Sequence, residues 1–592
     1  MPNISVTING ITTSVREGVT VLEACELAGV EIPTLCYHPD LSLAGNCRMC
    51  LVEVEGWRTL AIACVTPVTP NMVIHTHSKK VRKARRTVLK LLLANHNVNC
   101  PECERNRNCE LQELSEKHNI TTNEYQTTPK PVSVEEVSPG VMRDNSRCIM
   151  CTRCVRTCEE LQSVAVIKPV GRSAEIKIST FMDRGLDGVA CAQCGQCINR
   201  CPTGALFETS EVRQIWEALE DPEKFVVVQT APAVRVGIAE ALGLPTGRST
   251  GQMVASIRGL GFDRVLDTDF SADLTIIEEG HELIGRLGQA LQAGDPNVHL
   301  PMITSCSPGW IKFIEHKYPH LLSNLSTCKS PQQMFGALVK TYLAEKEGID
   351  PANIISVSIM PCTAKKYEKE RPEMNASGYK DVDYVLTTRE LASMIEEAGI
   401  DFEHIAEEKF DRWMGHSTGA GVIFGATGGV MEAALRTAYE VVTGHEIPFE
   451  GLNVTPVRGI EGIKEAAITM PDRMADGFEF LAGVTLKVAV AHGLSNAERL
   501  MKKVSAGEAD YHFIEIMACP GGCLGGGGQP IPTSPEIRRK RAEAIYAEDA
   551  ALHFRKSHAN PEIQLLYAEY LEKPLGHKSH ELLHTTYTPR KD

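Results

Sequence analysis

Apolar and polar residues alternate over Ile4–Ile8, break at Asn9-Gly10, and resume as a second β-like run over Ile11–Val15. Two such runs around a turn dipeptide predict a β-hairpin. From Thr20 to Gly29 the spacing becomes helical, with Val21, Leu22, Cys25, Leu27 and Ala28 on one stripe. Strand-like Leu51–Gly56 and Met72–His77 follow, so residues 1–78 read as a small β-grasp domain. The basic run Lys79–His96 reads as a helix, and a cysteine-rich loop continues to residue 125. Residues 126–138 are polar and contain Pro, a candidate linker. Beyond residue 213, β-rich runs at Phe225–Pro232, Ile354–Cys362 and Phe513–Gly522 alternate with helical stretches such as Leu391–Ile400. That rhythm predicts an α/β domain with parallel strands. Each of the three runs enters a loop bearing Pro, Cys or Gly, and ligand sites of open α/β sheets collect at such strand ends.

Composition changes the picture in two ways. A chain of 592 residues has room for roughly three to five domains. Its net charge of −14 argues against nucleic acid as a partner, since phosphate binding needs basic surface. Lys79, Lys80, Arg82, Lys83, Arg85 and Arg86 form one basic cluster, expected to be a solvated helix face. The N-terminus lacks the charged and apolar regions of a secretory signal, and no apolar run is long enough to span a membrane. No direct membrane insertion is expected, and the expected compartment is the cytoplasm.

The 21 cysteines carry the candidate chemistry. Disulfides are disfavoured without a secretion signal, and the cysteines fall in tight C-x2-C groups that suit metal clusters. Cys36, Cys47, Cys50 and Cys64 have a spacing that fits a [2Fe-2S] rhomb, with structural zinc as the alternative. His96, Cys100, Cys103 and Cys109 read in isolation as a zinc knuckle. Between two iron–sulfur segments, a [4Fe-4S] cluster with one imidazole ligand is the stronger reading. Over 139–212, Cys148, Cys151, Cys154 and Cys158 are followed by Cys191, Cys194, Cys197 and Cys201-Pro202. Two such runs are the two-cluster ferredoxin pattern, in which the fourth Cys of each run ligates the other cluster. One cubane would take Cys148, Cys151, Cys154 and Cys201, the other Cys191, Cys194, Cys197 and Cys158. Such a series of clusters is a wire, and a wire needs something at its end.

Six cysteines remain. Cys25 sits on an apolar stripe and is expected in a core. Cys306, Cys362, Cys519 and Cys523 fall in three loops, TSCSPGW (304–310), MPCTAKKYE (360–368) and EIMACPGGCLGGGG (515–528). These loops, with GAGVIFGATGGVMEAALR (419–436), resemble the [FeFe]-hydrogenase catalytic domain, and the preceding clusters match the accessory domains of its larger members. The resemblance covers the whole chain. It implies a multidomain α+β and α/β fold: a β-grasp [2Fe-2S] domain (1–78), a one-His three-Cys [4Fe-4S] domain (79–125), a two-[4Fe-4S] ferredoxin domain (139–212) and an α/β catalytic domain (213–592). The implied activity is the interconversion of H2 with protons and electrons. The implied cofactors are one [2Fe-2S], three accessory [4Fe-4S] and an H-cluster, a cubane bridged to a di-iron unit with CO, cyanide and a dithiolate amine.

The resemblance also implies site residues. Cys362 and Cys519 would bind the cubane and Cys523 would bridge it to the di-iron unit. Lys365 would face a cyanide, Met360 and Met517 would pack against the di-iron unit, and Pro232 and Gln332 would line the pocket. A proton path would run through Cys306, Glu279, Ser326 and Glu282 to Arg286. The chain departs from the family at TSCSPGW, where the usual loop is TSCCPGW. In direct register Cys306 is the proton donor and Ser307 stands at a cubane-ligand position. The fourth ligand is then Cys306 after a loop shift, the Ser307 oxygen, or Cys328, which otherwise reads as a buried small hydrophobe.

No convincing G-x-G-x-x-G unit and no flavin site appear in the sequence. The expected electron partners are therefore ferredoxin, or NAD(P)-linked flavin-containing subunits of a heteromeric complex. The competing readings are a non-catalytic electron conduit or scaffold, and a hydrogen sensor.

Overall fold

The computed structural model describes residues 2–125, 132, 134–135 and 138–590. The expected linker at 126–138 lies almost wholly outside these residues. The chain divides into two compact units, one of 1–160, 165–185 and 200–207, the other of 161–164, 186–199 and 208–592.

In the first unit, β1 (Asn3–Ile8) and β2 (Ile11–Arg16) form the expected hairpin, with Asn9 and Gly10 at φ 51° and 86°. Two positive φ values are what a two-residue type I′ turn requires. Helix α1 (Val21–Leu27) opens with a capping box between Thr20 and Glu23. It buries Val21, Leu22, Ala24 and Cys25, but Leu27 is 69% exposed. The apolar stripe ends early because the chain leaves the helix at Ala28 and turns at Gly29, φ 71°. Strands β3 (Leu51–Val54), β4 (Ala61–Ile62) and β5 (Val73–His75) complete a sheet of order β2-β1-β5-β3-β4, in which β1 and β5 run parallel. Helix and sheet share one core containing Val6, Ile8, Cys25, Val52 and Ile74, which is the expected β-grasp. Helix α2 (Lys79–Ala94) exposes Lys79, Lys80, Arg82, Lys83 and Arg86. Arg85 departs from the solvated face: it is buried and donates to the Leu51 carbonyl at 2.8 Å.

In the second unit, β6 (Phe225–Thr230), β7 (Arg264–Asp267), helix α3 (Thr268–Leu291), β8 (Met302–Ile303), α4 (Pro308–Lys317), β9 (Ile354–Met360) and β10 (Tyr384–Thr387) come first in the chain. They are followed by α5 (Gly429–Thr443), β11 (Ile463–Thr469), β12 (Thr485–His492), β13 (Phe513–Met517), α6 (Pro535–Ala551) and α7 (His577–Leu583). One sheet has the order β7-β6-β9-β10, all parallel. The other has the order β8-β13-β12-β11, with only β11 antiparallel. The three strands read from the sequence therefore fall in two sheets: β6 and β9 are neighbours in one, and β13 lies in the other. Val226–Thr230 and Phe513–Met517 are buried without interruption, as strands covered on both faces must be.

Helix α3 is buried along its N-terminal half, and that half carries Asp269, Asp273, Glu278 and Glu279. Burying so many carboxylates is costly unless each has a partner or a task. Asp269 and Asp267 share Arg235, each at 2.8 Å. Asp273 accepts from Thr418 and Asn560. A second buried network ties α5 to α6, where Arg436 reaches Glu432 at 2.6 Å and Asp549 at 2.9 Å, all three fully enclosed. Arg436→Leu is expected to destabilise the second unit by about 3 kcal/mol, because it removes the enclosed cation between two buried carboxylates and leaves Glu432 to Arg458 and Asp549 to Arg555. Denaturant unfolding followed by near-UV circular dichroism measures this, and a loss below about 1 kcal/mol would contradict the role given to the network.

Candidate metal centre

A cavity of about 780 Å³ lies inside the second unit. Its lining includes Cys306, Ser307, Cys362, Cys519 and Cys523, together with Pro232, Gln332, Met360, Lys365 and Met517. Every pocket residue read from the three loops is thus present. Pro232 follows β6, Cys362 follows β9, and Cys519 and Cys523 follow β13. All three strands deliver their residues from their C-terminal ends, the position at which open α/β sheets bind ligands. Cys194 lines the same cavity. Cys328 is not among the lining residues: it is fully buried in a core with Phe270, Met334 and Leu338, as a small hydrophobe.

Glycine is required where this loop meets its neighbours. A Cβ at Gly526 would sit 1.9 Å from the Pro361 carbonyl oxygen, and one at Gly527 would sit 2.2 Å from that of Cys194. No side chain fits at either position, so the glycine-rich run lets its backbone lie against both cysteine loops. Polar side chains then fix it: Gln196 donates to the Gly525 carbonyl at 2.8 Å, and Arg389 to that of Gly527 at 2.7 Å.

The sulfur groups separate into two sets by what faces them. Burial pushes the Cys519 thiol well up, and after burial the strongest influences are Cys362, Cys194 and Cys523. Burial also raises Cys523, to about 12, with Cys362 the next influence. Cys306 is raised by burial too, but there the next influence is the Glu279 carboxylate. Cys362, Cys519 and Cys523 therefore form one sulfur cluster, while Cys306 faces the carboxylate side. The Ser307 hydroxyl accepts the Ala518 N–H at 3.2 Å, next to Cys519. The Lys365 ammonium is fixed by Glu368 at 2.9 Å and by the Cys306 carbonyl at 3.3 Å. Glu368 also accepts from Ser330 at 2.8 Å and Gln332 at 3.1 Å. This donor set suits an iron–sulfur cofactor: soft sulfurs converge in an apolar cavity, and a held cation meets anionic ligands.

Glu279, Glu282 and Arg286 lie on α3. Burial raises Glu279 to about 8, opposed by a hydrogen bond with Ser326 and reinforced by Glu282. Ser326 donates to Glu282 at 3.2 Å, and Arg286 pairs with Glu282 at 2.6 Å. Glu279, Ser326, Glu282 and Arg286 are thus neighbours, and Glu279 lies within electrostatic reach of Cys306.

The first unit holds further sulfur groups. Cys36, Cys47, Cys50 and Cys64 are all buried, with Cys50 and Cys64 sulfurs 3.5 Å apart and Cys36 bonded to Cys47 and Cys64. Cys100 and Cys109 both feel Cys103, and His96 keeps a buried Nδ1 with no hydrogen-bond partner among the described residues, a nitrogen suited to a metal. Cys148, Cys151, Cys154 and Cys201 line one cavity of about 400 Å³. Cys158 belongs to the first unit, and Cys191, Cys194 and Cys197 belong to the second.

Several residues escaped the sequence reading. Thr327 donates to Glu282 at 3.1 Å and meets His584 at 2.8 Å, and His584 meets Glu278 at 3.2 Å. Nothing local marks His584, which lies more than 250 positions from Thr327. Glu278 offered a signal as a second carboxylate beside Glu279.

Comparison with known proteins bears on the whole chain. Residues 224–527 match the iron only hydrogenase large subunit, C-terminal domain, and 535–590 match the iron hydrogenase small subunit. Residues 2–79 match a 2Fe-2S iron-sulfur cluster binding domain. Residues 85–124 match the NADH-ubiquinone oxidoreductase-G iron-sulfur binding region, and 138–207 match the NADH-quinone oxidoreductase subunit 3 ferredoxin-like domain. The chain is 49% identical to the NADP-reducing hydrogenase subunit HndD of Solidesulfovibrio fructosivorans, over 100% of both chains. It is 39% identical to iron hydrogenase 1 of Clostridium pasteurianum, over 98% of this chain and 99% of the other. A solved [FeFe]-hydrogenase HydA1 from Chlamydomonas reinhardtii superposes with TM-score 0.58 at 49% identity, covering 64% of this chain and 99% of that one. No helix among the described residues is long and apolar enough to cross a membrane.

The raised Glu279 has a consequence for stability. A carboxyl that holds its proton to about pH 8 when folded, but loses it near its ordinary value when unfolded, binds more protons in the folded state between those limits. Stability therefore falls as pH rises through that window, by about 1.4 kcal/mol per unit from this group, and levels off above it. Glu279→Gln removes this slope, so the variant is expected to gain on the parent between pH 5 and 8. Parallel melting curves across that range measure it, and equal slopes would show that Glu279 ionises normally.

Proposed function

The chain belongs to the iron-only, or [FeFe], hydrogenase family, and from that premise we propose the following assignment of its residues and partners. The reaction is 2H⁺ + 2e⁻ ⇌ H2. The chain is an [FeFe]-hydrogenase catalytic subunit with iron–sulfur electron-transfer domains. One observation carries the assignment: three loops separate in sequence bring Cys362, Cys519 and Cys523, with Lys365, Met360 and Met517, around one cavity.

When bound, the di-iron unit supplies the metal site at which protons and electrons combine to form hydrogen. The protein's part is to hold that unit, keep water away and deliver protons. Cys362, Cys519 and Cys523 would hold the cubane, with Cys523 as its bridging sulfur. The Ser307 oxygen would take the fourth position, and Cys306, influenced by Glu279, would be the proton donor. Lys365 balances the anionic ligands, Met360 and Met517 pack against the di-iron unit with polarizable sulfur, and Pro232 and Gln332 form the wall. Protons travel along Glu279, Ser326 and Glu282, with Arg286 outermost. Glu279 is largely protonated near neutral pH, so it can donate towards Cys306 and recover its proton through Ser326.

The accessory set is one [2Fe-2S] cluster on Cys36, Cys47, Cys50 and Cys64, and three [4Fe-4S] clusters. The first cubane is held by His96, Cys100, Cys103 and Cys109, the second by Cys148, Cys151, Cys154 and Cys201, the third by Cys191, Cys194, Cys197 and Cys158. Electrons enter the cavity beside Cys194, which lines it together with Cys362 and Cys519. The full-length relative that is a subunit of an NADP-reducing hydrogenase supports a heteromeric complex with NAD(P)-linked, flavin-containing subunits, with ferredoxin as the alternative carrier. The cytoplasm is the proposed compartment.

A scaffold reading has one observation in its favour. Cytosolic iron-sulfur assembly component 3 of Bos taurus is 30% identical over 67% of this chain. Infrared spectroscopy separates the two. Protein produced without maturation factors is expected to show no carbonyl or cyanide bands and no hydrogen evolution, and to gain both when the synthetic di-iron complex is supplied. Equal activity before and after would sink the catalytic reading. For Ser307, Ser307→Cys replaces a hard alkoxide donor, which favours oxidised iron, with a soft thiolate of equal charge, which is expected to raise the cubane's reduction potential in an EPR-monitored titration. An unchanged potential would remove Ser307 from the coordination sphere.

A further inference from the structure

Glu282 is held on two sides by groups of different kinds. Its Oε1 accepts from Arg286 at 2.6 Å. A guanidinium keeps its proton at any accessible pH, so Arg286 anchors the carboxylate without passing a proton onward. The Oε2 accepts from the Thr327 hydroxyl at 3.1 Å, and that hydroxyl is 2.8 Å from His584 Nδ1. Hydroxyl and imidazole both donate and accept, so this side can carry a proton. Beyond it, the His584 ring centroid is 4.4 Å from that of His580, which is exposed.

The geometry points to a proton outlet beside Arg286 rather than through it: we propose that Thr327 and His584 branch from Glu282 and conduct protons between the buried relay and His580 at the surface. The inference rests on the proposed path through Glu279, Ser326 and Glu282, and extends it into the segment matched by the small-subunit family. The step is balanced by a concerted shift. The protonated His584 ring passes its Nδ1 proton to the Thr327 oxygen, Thr327 passes its own hydroxyl proton to the Glu282 carboxylate, and the emptied Nδ1 is refilled from solvent when the ring turns towards the exposed His580. In hydrogen oxidation the same shift runs in reverse.

The arrangement is built for this use. Thr585 N donates to the Thr327 carbonyl at 2.8 Å, and Lys329 N to that of Leu583 at 2.8 Å, so backbone pairing sets the register of Thr327 against His584. The other imidazole nitrogen meets Glu278 at 3.2 Å. Burial alone would raise Glu278, but hydrogen bonds from His584, Tyr567 and the Leu575 amide hold it below its ordinary value. Glu278 lies at Nε2 and Thr327 at Nδ1, so a protonated His584 ring would place one N–H on each. The titratable and charged groups facing His584 are Glu278, Tyr567, Glu282, Cys328 and His580. Cys328 stays a neutral thiol, raised far above its ordinary value by burial and by three nearby carboxylates.

Four variants of the matured full-length enzyme test the branch, each first matched to the parent in iron content and infrared bands. Thr327→Val removes the hydroxyl at nearly constant volume, and His584→Gln keeps polarity without a titratable proton. Both are expected to lower hydrogen turnover about ten-fold, with a larger solvent deuterium isotope effect. His584→Ala is expected to fall similarly and to recover with added imidazole, the rate tracking the pKa of the imidazole supplied. Parental turnover in Thr327→Val or His584→Gln overturns the branch. So does lost activity in His584→Ala that imidazole fails to restore. Glu282→Gln separates the branch from its foundation. If Glu282→Gln loses turnover and Thr327→Val does not, the main relay stands and the branch falls. If Glu282→Gln turns over like the parent, both fall.

Discussion

The second unit is organised by the cost of keeping ionised sulfur in a dry cavity. A thiolate away from water needs a positive partner at bonding distance, and burial here drives Cys362, Cys519 and Cys523 towards the neutral thiol. A metal cluster meets that need only if the sulfurs arrive together, from directions the chain can hold. Parallel strands supply this, because their C-terminal ends point the same way and release loops into a common space. Close approach then demands glycine, and the run after Cys523 has it: neither Gly526 nor Gly527 leaves room for a Cβ. The buried side chains of Gln196 and Arg389 follow in turn, since carbonyls pressed into a core must be hydrogen-bonded.

The same cavity separates electrons from protons by the chemistry of its walls. Cys519 feels the sulfur of Cys194, on the side from which an accessory cluster would feed it. Cys306 feels Glu279 instead. The two faces make opposite demands. A wire wants sulfur packed closely behind glycine. A proton relay wants titratable groups with hydroxyls between them, which is why α3 buries carboxylates that a structural helix would avoid. Lys365 lies between these faces, and Glu368, Ser330 and Gln332 fix it so that its charge serves the cavity without becoming mobile.

Much of this was legible in the sequence, and the reason is that ligand chemistry is local. C-x2-C pairs, the glycine run after Cys523 and Lys365 three residues after Cys362 each lie within one loop. The hairpin at Asn9-Gly10 and the helix behind Thr20 were legible for the same reason. Features that depend on distant segments were not. The strands Phe225–Thr230 and Phe513–Met517 share a buried pattern yet enter different sheets, because strand pairing is not written in periodicity. Leu27 fits a helical stripe but is exposed, since the helix ends before that position meets a core. The buried network of Arg436 with Asp549 and the contact of Thr327 with His584 each join residues more than a hundred positions apart. A charged residue reads as surface until its partner is known.

Ser307 shows where local reading reaches its limit and geometry continues the argument. By register it stands where the family has a second cysteine, and the sequence left three candidates for the fourth cubane ligand. Cys328 drops out because it packs in a separate core and does not line the cavity. Cys306 is drawn to the other role by Glu279. Ser307 stays on the sulfur side, held by the amide that precedes Cys519. An alkoxide there in place of a thiolate would carry the same charge but be the harder donor, and a harder donor favours oxidised iron, so the cluster would accept an electron less readily. The substitution would therefore act on the driving force for electron transfer while leaving the proton donor untouched. That separation would be possible because Cys306 and Ser307, though adjacent in sequence, answer to different neighbours, Glu279 for one and the Ala518 amide for the other.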